Sequence, residues 1–211
     1  MKKTDTKKLF VYGLLKRRII AGELTAGTIL NESDLAQELE VGKTPTREAL
    51  IMLAHEGFVD ALPRVGYAVT RLTLQDALEI FALRVIVEVE AIGIAAERIT
   101  ESDISRLIEN NKKESALAQH PADASLREQG YQLNREFHLI IAQATGNNRL
   151  ARLIQSMIDD LERALSFDPY IADPTQHDDI ILYLKNRDKA KAQAAMRRHI
   201  EETRARIVNR F

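Results

Sequence analysis

The chain of 211 residues has no cysteine and five histidines, so any transition-metal chemistry must run through imidazole and oxygen donors. Three of the histidines, His138, His177 and His199, fall in a long stretch of helical periodicity, on three separate predicted helices. Asn134 precedes His138 by four residues and so shares its helix face. Helices of a bundle can deliver four such N/O donors to one interior point. Imidazole suits zinc, nickel, copper or iron, and three histidines with open positions leave room for water or a ligand. Convergence is a property of the fold, so spacing alone leaves open whether these are ordinary helix-face residues.

A second group has a different chemistry. Lys43-Thr44-Pro45-Thr46-Arg47 opens a predicted helix after the turn Val41-Gly42-Lys43. A helix N-terminus favours phosphate through its free N–H groups and dipole. Lys43 and Arg47 suit phosphate or guanine O6/N7, and Thr44 and Thr46 offer hydroxyls and a methyl for thymine. Downstream, Arg64 stands at a predicted hairpin tip, with Gly66 allowing close backbone approach. This is the equipment of a major-groove reader with a flanking wing.

The elements that must position these residues differ along the chain. Leu9, Leu14, Leu15, Ile19 and Ile20 outline a first amphipathic helix ending near Gly22. Asn31 is the N-cap of a second helix carrying Leu35, Ala36 and Leu39. Thr44 as N-cap and Pro45 at the first helical position start the third, with Ala49, Leu50 and Leu53 inside and Gly57 at its end. Residues 58–62 and 67–70 read as two strands around Pro63-Arg64-Val65-Gly66. From Thr73 onward the periodicity is helical, with helices expected near 74–98, 101–118, 125–145, 148–167, 175–186 and 188–209. Thr73 with Asp76, and Thr100 with Asp103, read as capping boxes with Asp in place of Glu. Gly146-Asn147 separates two helices, and Asp168-Pro169 through Pro174 breaks two others. The expected architecture is mainly α: a winged helix-turn-helix over 1–72 and an all-α six-helix bundle over 73–211.

Composition excludes other classes. Apolar residues at 45% and charged residues at 29% are those of a soluble globular chain. The most apolar stretch, Ile80 to Ala96, contains Arg84, Glu88 and Glu90 and is no membrane span. No signal core precedes Lys16-Arg17-Arg18, so a cytoplasmic protein is expected. The formal net charge is −1, but residues 1–72 carry 11 basic against 9 acidic side chains and the remainder 19 against 22. The excess has the sign that a phosphate-facing first part requires.

Several spaced blocks agree in order with a known family. Gly22-Glu23-Leu24, Gly27-Thr28-Ile29-Leu30, Leu35-Ala36, Val41 through Leu50, Glu56-Gly57-Phe58-Val59 and Gly66-Tyr67-Ala68-Val69 resemble the DNA-binding domain of GntR-type regulators. Gly42-Lys43 stands where that family usually has Ser-Arg, and lysine lacks the planar fork of arginine, which implies softer base specificity there. Over about 75–208, Arg84 with Glu88, Phe137-His138, Gly146-Asn147, His177, and Met196 followed by His199 resemble the FCD domain, the helical effector domain of the FadR-like branch. Six helices resemble its VanR-like subgroup. The resemblance implies a divalent ion (zinc, nickel or manganese) held by Asn134, His138, His177 and His199, with a small organic acid beside it. Asn134 in place of the commoner Asp leaves the ion's charge uncompensated, which favours a carboxylate effector and weakens metal binding. Arg84 is the expected carboxylate fork, unless it is only a structural partner of Glu88. The implied protein is a homodimer on an inverted-repeat operator in double-stranded DNA, a ligand-responsive regulator, and a repressor. Two alternatives compete. One is a DNA-binding dimer whose helical domain is purely structural. The other is a metal-dependent hydrolase built on His177-Asp178, disfavoured because adjacent helical residues point about 100° apart.

Overall fold

A computed structural model describes residues 3–118, 126–164 and 175–208. It divides into two compact units on either side of the Leu72–Thr73 bond.

The first unit contains α1 (Lys3–Ile20), β1 (Ile29–Leu30), α2 (Glu32–Glu38), α3 (Lys43–His55), β2 (Val59–Leu62) and β3 (Gly66–Val69). Its core is one apolar cluster in which α1 contributes Val11, Leu15 and Ile19, and α3 contributes Ala49, Leu50 and Leu53. The stripe of α1 is therefore shifted from the predicted one, and Leu9 stands exposed. Asn31 caps α2 as expected, its side chain accepting from the backbone of Ser33 and Asp34.

The start of α3 differs from the prediction. Gly42 is the N-cap, not Thr44, so Pro45 occupies the third helical position. The first turn has no intrahelical acceptor for that N–H, so proline costs nothing there either.

The three strands form a sheet in the order β1-β3-β2, antiparallel throughout. β1 was missed in the sequence because two residues show no periodicity. Its pairing, Ile29 to Ala68 and Leu30 to Tyr67, is long-range. Gly66 sits at φ +137°, and a Cβ there would fall 2.5 Å from the Leu30 carbonyl oxygen. This glycine is required by the close approach of β1.

The second unit is helical in its described residues: α4 (Leu74–Arg98), α5 (Glu101–Ala118), α6 (Arg127–Ala144), α7 (Asn148–Ala164), α8 (Thr175–Lys185) and α9 (Lys189–Val208). Both capping boxes are present, at Thr73/Asp76 and at Thr100/Asp103. The expected helix edges at 125, 165–167 and 209, and the break at 168–174, lie outside the described residues. α4 is the central helix and packs most extensively on α9. At Gly93 the Gln193 side chain of α9 lies over α4: a Cβ there would fall 2.7 Å from Gln193 Nε2, whose amide donates to the Val89 carbonyl at 3.2 Å. α9 also carries His199, near enough to Arg84 of α4 for the two to interact electrostatically.

Candidate functional site

In the first unit, α3 buries Ala49, Leu50 and Leu53 and turns Lys43, Thr44 and Arg47 outward. Arg47 is 68% exposed, with a loose ion pair to Glu32 at 3.8 Å. Thr46 departs from the expectation for a base-reading residue. It is fully buried, and its hydroxyl donates to the Gly42 carbonyl at 3.1 Å. It ties the helix to the turn and offers no surface to DNA. Gly66 has an internal constraint of its own, the nearby Leu30 carbonyl.

Arg64 sits at the tip of the β2–β3 hairpin, exposed, at φ +66°. Val65 N–H donates to the Leu62 carbonyl at 3.1 Å, so Pro63 and Arg64 are the two central residues of a tight turn. A positive φ at the second of them is the glycine position of a type II turn. Arginine there is a local cost of about 1 kcal/mol. Arg64→Gly is accordingly expected to keep or raise the melting temperature while weakening DNA binding and reducing its salt dependence by about one phosphate contact. Parallel melts and DNA titrations at two salt concentrations check both halves.

In the second unit, α6, α8 and α9 bring His138, His177 and His199 together. One ring nitrogen from each falls within 4.8 Å of the others, and all three residues are buried. His138 Nε2 and His199 Nε2 are 3.3 Å apart. Two nitrogens on one tetrahedral zinc at about 2.0–2.1 Å stand about 3.3–3.4 Å from each other. Phe137 stacks on the His177 ring at 3.8 Å between centroids and fixes its plane. Asn134 is half-buried one turn before His138 on the same face of α6.

His177 and His199 each have a hydrogen-bond acceptor at Nδ1, and a carboxylate lies in ion-pair contact with His138 Nδ1. Glu88 Oε2 of α4 is 2.6 Å from His138 Nδ1. Glu114 Oε2 of α5 is 2.9 Å from His177 Nδ1. Gln176 Oε1 is 3.0 Å from His199 Nδ1. For His177 and His199 the acceptor at Nδ1 holds the proton there and leaves Nε2 as a lone pair; for His138 the Arg84 N–H facing Nε2 has the same consequence. Burial lowers the pKa of His138, against the pull of Glu88. Burial, reinforced by the other two histidines, lowers that of His199 further. Burial thus favours the neutral form of His138 and His199. Among the described residues His177 Nε2 is buried with no hydrogen-bond partner, and the His138 and His199 Nε2 atoms face each other. A cation would answer the unpartnered His177 nitrogen, so the donor set fits a divalent ion.

Arg84 lies in the same place, 2% exposed. Its Nε donates to Glu88 Oε1 and its Nη2 approaches His138 Nε2 at 3.3 Å. The structural reading of Arg84, as the partner of Glu88, is present. It pairs with Glu88, and it borders the histidines. Burial raises the Glu88 pKa, but Arg84 and His138 outweigh it and hold the carboxylate at about 2. Asp178 accepts from Asn111 Nδ2 at 2.7 Å, and it is absent from the cluster of donor atoms. Glu114 and Gln176 were not singled out in the sequence. Glu114 had a signal, since it falls in phase with the buried Ile104, Leu107 and Asn111 on α5. Gln176, an uncharged neighbour of His177, had none.

A winged helix with an outward-facing first turn, joined to a helical bundle with a buried donor cluster, defines a class: a DNA-binding regulator with an attached helical domain. The comparisons make it specific. Residues 7–69 match the family described as bacterial regulatory proteins, gntR family, and residues 79–202 match the FCD domain. The chain belongs to the GntR family of transcription regulators and carries an FCD domain; it is not an enzyme. It is 28% identical over 148 residues to the uncharacterised HTH-type regulator YdhC of Bacillus subtilis (strain 168), covering 70% of this chain and 65% of that relative. It is 27% identical over 199 residues to the HTH-type transcriptional repressor RspR of Escherichia coli (strain K12), covering 91% and 85%. In fold it is similar to E. coli McbR/YncC, with a TM-score of 0.79 at 22% identity over 97% of this chain and 98% of that one. Among the described residues no helix is long and apolar enough to cross a membrane.

Proposed function

We propose that the protein is a cytoplasmic repressor that binds an inverted-repeat operator as a homodimer and responds to a small carboxylate held beside a divalent metal ion. The observation that carries the sensing half is the convergence of three buried histidines with an unpartnered His177 Nε2. His138, His177 and His199 would hold the ion through Nε2, with Asn134 one turn from His138 as a fourth, neutral donor. Zinc, nickel and manganese are the candidate ions. When bound, the ion supplies a Lewis-acidic centre with positions open to a carboxylate. Arg84 is placed to meet the same carboxylate with its guanidinium, while Glu88 holds the arginine in place.

The DNA half assigns Lys43, Thr44 and Arg47 to the major groove and Arg64 to the backbone beside it. Residues 1–72 act as the reading head and residues 73–211 as the sensing and dimerising domain. The effector acts by favouring one arrangement of the paired heads over another, which requires a different affinity for the two.

The test is the metal content of full-length protein purified without a tag, with thermal melts before and after chelation and metal re-addition. Stoichiometric metal and a chelator-sensitive melt are expected. Absence of metal and of any shift on adding zinc, nickel or manganese would reduce the helical domain to a purely structural dimeriser.

A further inference from the structure

The three acceptors behind the histidines are unequal, and their inequality has a use. Glu88 and Glu114 are carboxylates at 2% and 0% exposure, behind rings that are each 1% exposed. The acceptor behind His199 is a neutral amide, Gln176, partly exposed. His199 is itself the least buried of the three, at 6%. A glutamine has two ends, so its orientation needs a reason. Gln176 Nε2 donates to Glu202 Oε2, an acceptor that takes only a donor. A flipped amide would set oxygen against carboxylate on one side and N–H against N–H on the other. The exposed Glu202, one turn after His199 on α9, therefore fixes the Gln176 amide, and Gln176 Oε1 fixes the proton on His199 Nδ1.

We propose that Glu114 and Gln176 are positioning residues that set metal affinity by holding His177 and His199 in the Nδ1–H form, and that with Glu88, whose carboxylate lies against the His138 ring, they rank the ligands. A carboxylate behind an imidazole raises its basicity as a ligand, and an amide does so less. His138 and His177 are the firmly held pair. His199, with a neutral partner and the nearest route to solvent, is the ligand that lets go when the ion enters or leaves. The Glu202–Gln176–His199 chain thus couples a surface carboxylate to the rate of metal exchange. This inference rests on the metal reading above.

The experiment is zinc competition with a chromogenic chelator on full-length protein, at equilibrium and as a release rate, with the absorption spectrum of the cobalt-substituted protein as a second readout. Glu114→Gln is expected to lower zinc affinity about 10–100-fold and to alter the cobalt spectrum. The double variant Gln176→Glu with Glu202→Gln keeps the hydrogen bond between the two side chains but puts a carboxylate behind His199. It is expected to slow zinc release about tenfold, on the scale of outer-partner effects. Both of its sites reach the surface, so it folds even if Glu114→Gln does not. Wild-type affinity, spectrum and release rate in both variants would overturn the proposal and leave the metal site standing. A merely structural role would lower the melts of chelated protein and leave the zinc competition unmoved, which also overturns it. Wild-type protein that takes up no zinc would remove the metal reading itself.

Discussion

Alanine at position 138 is expected to abolish stoichiometric metal binding while the protein still folds cooperatively. The choice of position follows from what each ring supports. His177 is stacked on Phe137 and supplies the N–H that faces the Glu114 carboxylate, so its removal disturbs a fully buried acid. His138 shares Glu88 with Arg84. After His138→Ala the carboxylate keeps its guanidinium partner, and the damage is a cavity costing roughly 2–5 kcal/mol. The metal is a different matter. Losing one of three imidazoles leaves His177 and His199 unable to close a tetrahedral set, and the loss exceeds the about 10–100-fold typical of an outer hydrogen-bond partner. A site filled at 100 times its Kd contributes about 2.7 kcal/mol of apparent stability. Chelator should therefore lower the melt of the wild type and leave that of the variant unmoved. Metal analysis and paired melts read both effects. Wild-type metal content in the variant would exclude His138 as a ligand.

The same part of the molecule shows what a sequence can and cannot carry. The capping boxes at Thr73 and Thr100 were legible because each is an exchange of hydrogen bonds across three residues. The three histidines were legible as residue types on separate helices. Their convergence was not, because it depends on helix contacts such as the α4–α9 approach at Gly93. Glu114 reaches His177 across 63 residues of sequence, and Gln176 reaches His199 across 23. The errors in the first unit have a similar origin. Thr44 and Gly42 are both acceptable N-caps, and the choice fell to the residue that lets Thr46 turn inward onto the Gly42 carbonyl. Once Thr46 is inside, one fewer side chain is available to read bases.

Arg84 joins these observations to function. A guanidinium at 2% exposure with only a carboxylate beside it would be a closed structural pair. Here Nη2 is turned toward His138 Nε2 instead, so the arginine addresses two groups of opposite demand: Glu88, which needs its charge, and the histidine side, where a carboxylate effector would compete for it. Both groups thereby bear on α4, whose first residue, Leu74, lies two positions after Leu72, the last residue of the first unit.

Arg47→Ala is expected to lower operator affinity by about 1–3 kcal/mol, or roughly 5- to 150-fold, if its guanidinium reads a base edge. Arg47 lies one turn after Lys43 on the outward face of α3, and its ion pair to Glu32 is loose enough, at 3.8 Å, to let it swing into a groove. As an exposed residue it contributes little to folding, so the melt should stay within about 0.5 kcal/mol of the wild type and affinity changes can be assigned to DNA contact. Two outcomes separate the roles of the arginine. A base contact makes the loss depend on sequence, with one operator position relaxed in the variant. A phosphate contact weakens all sequences alike and reduces the salt slope by about one. Lys43→Ala is the companion variant, and its lack of a planar fork places it with the second pattern. Titration of operator and scrambled duplexes at two salt concentrations distinguishes the patterns. Unchanged operator affinity in Arg47→Ala would mean that α3 does not present this face to the groove.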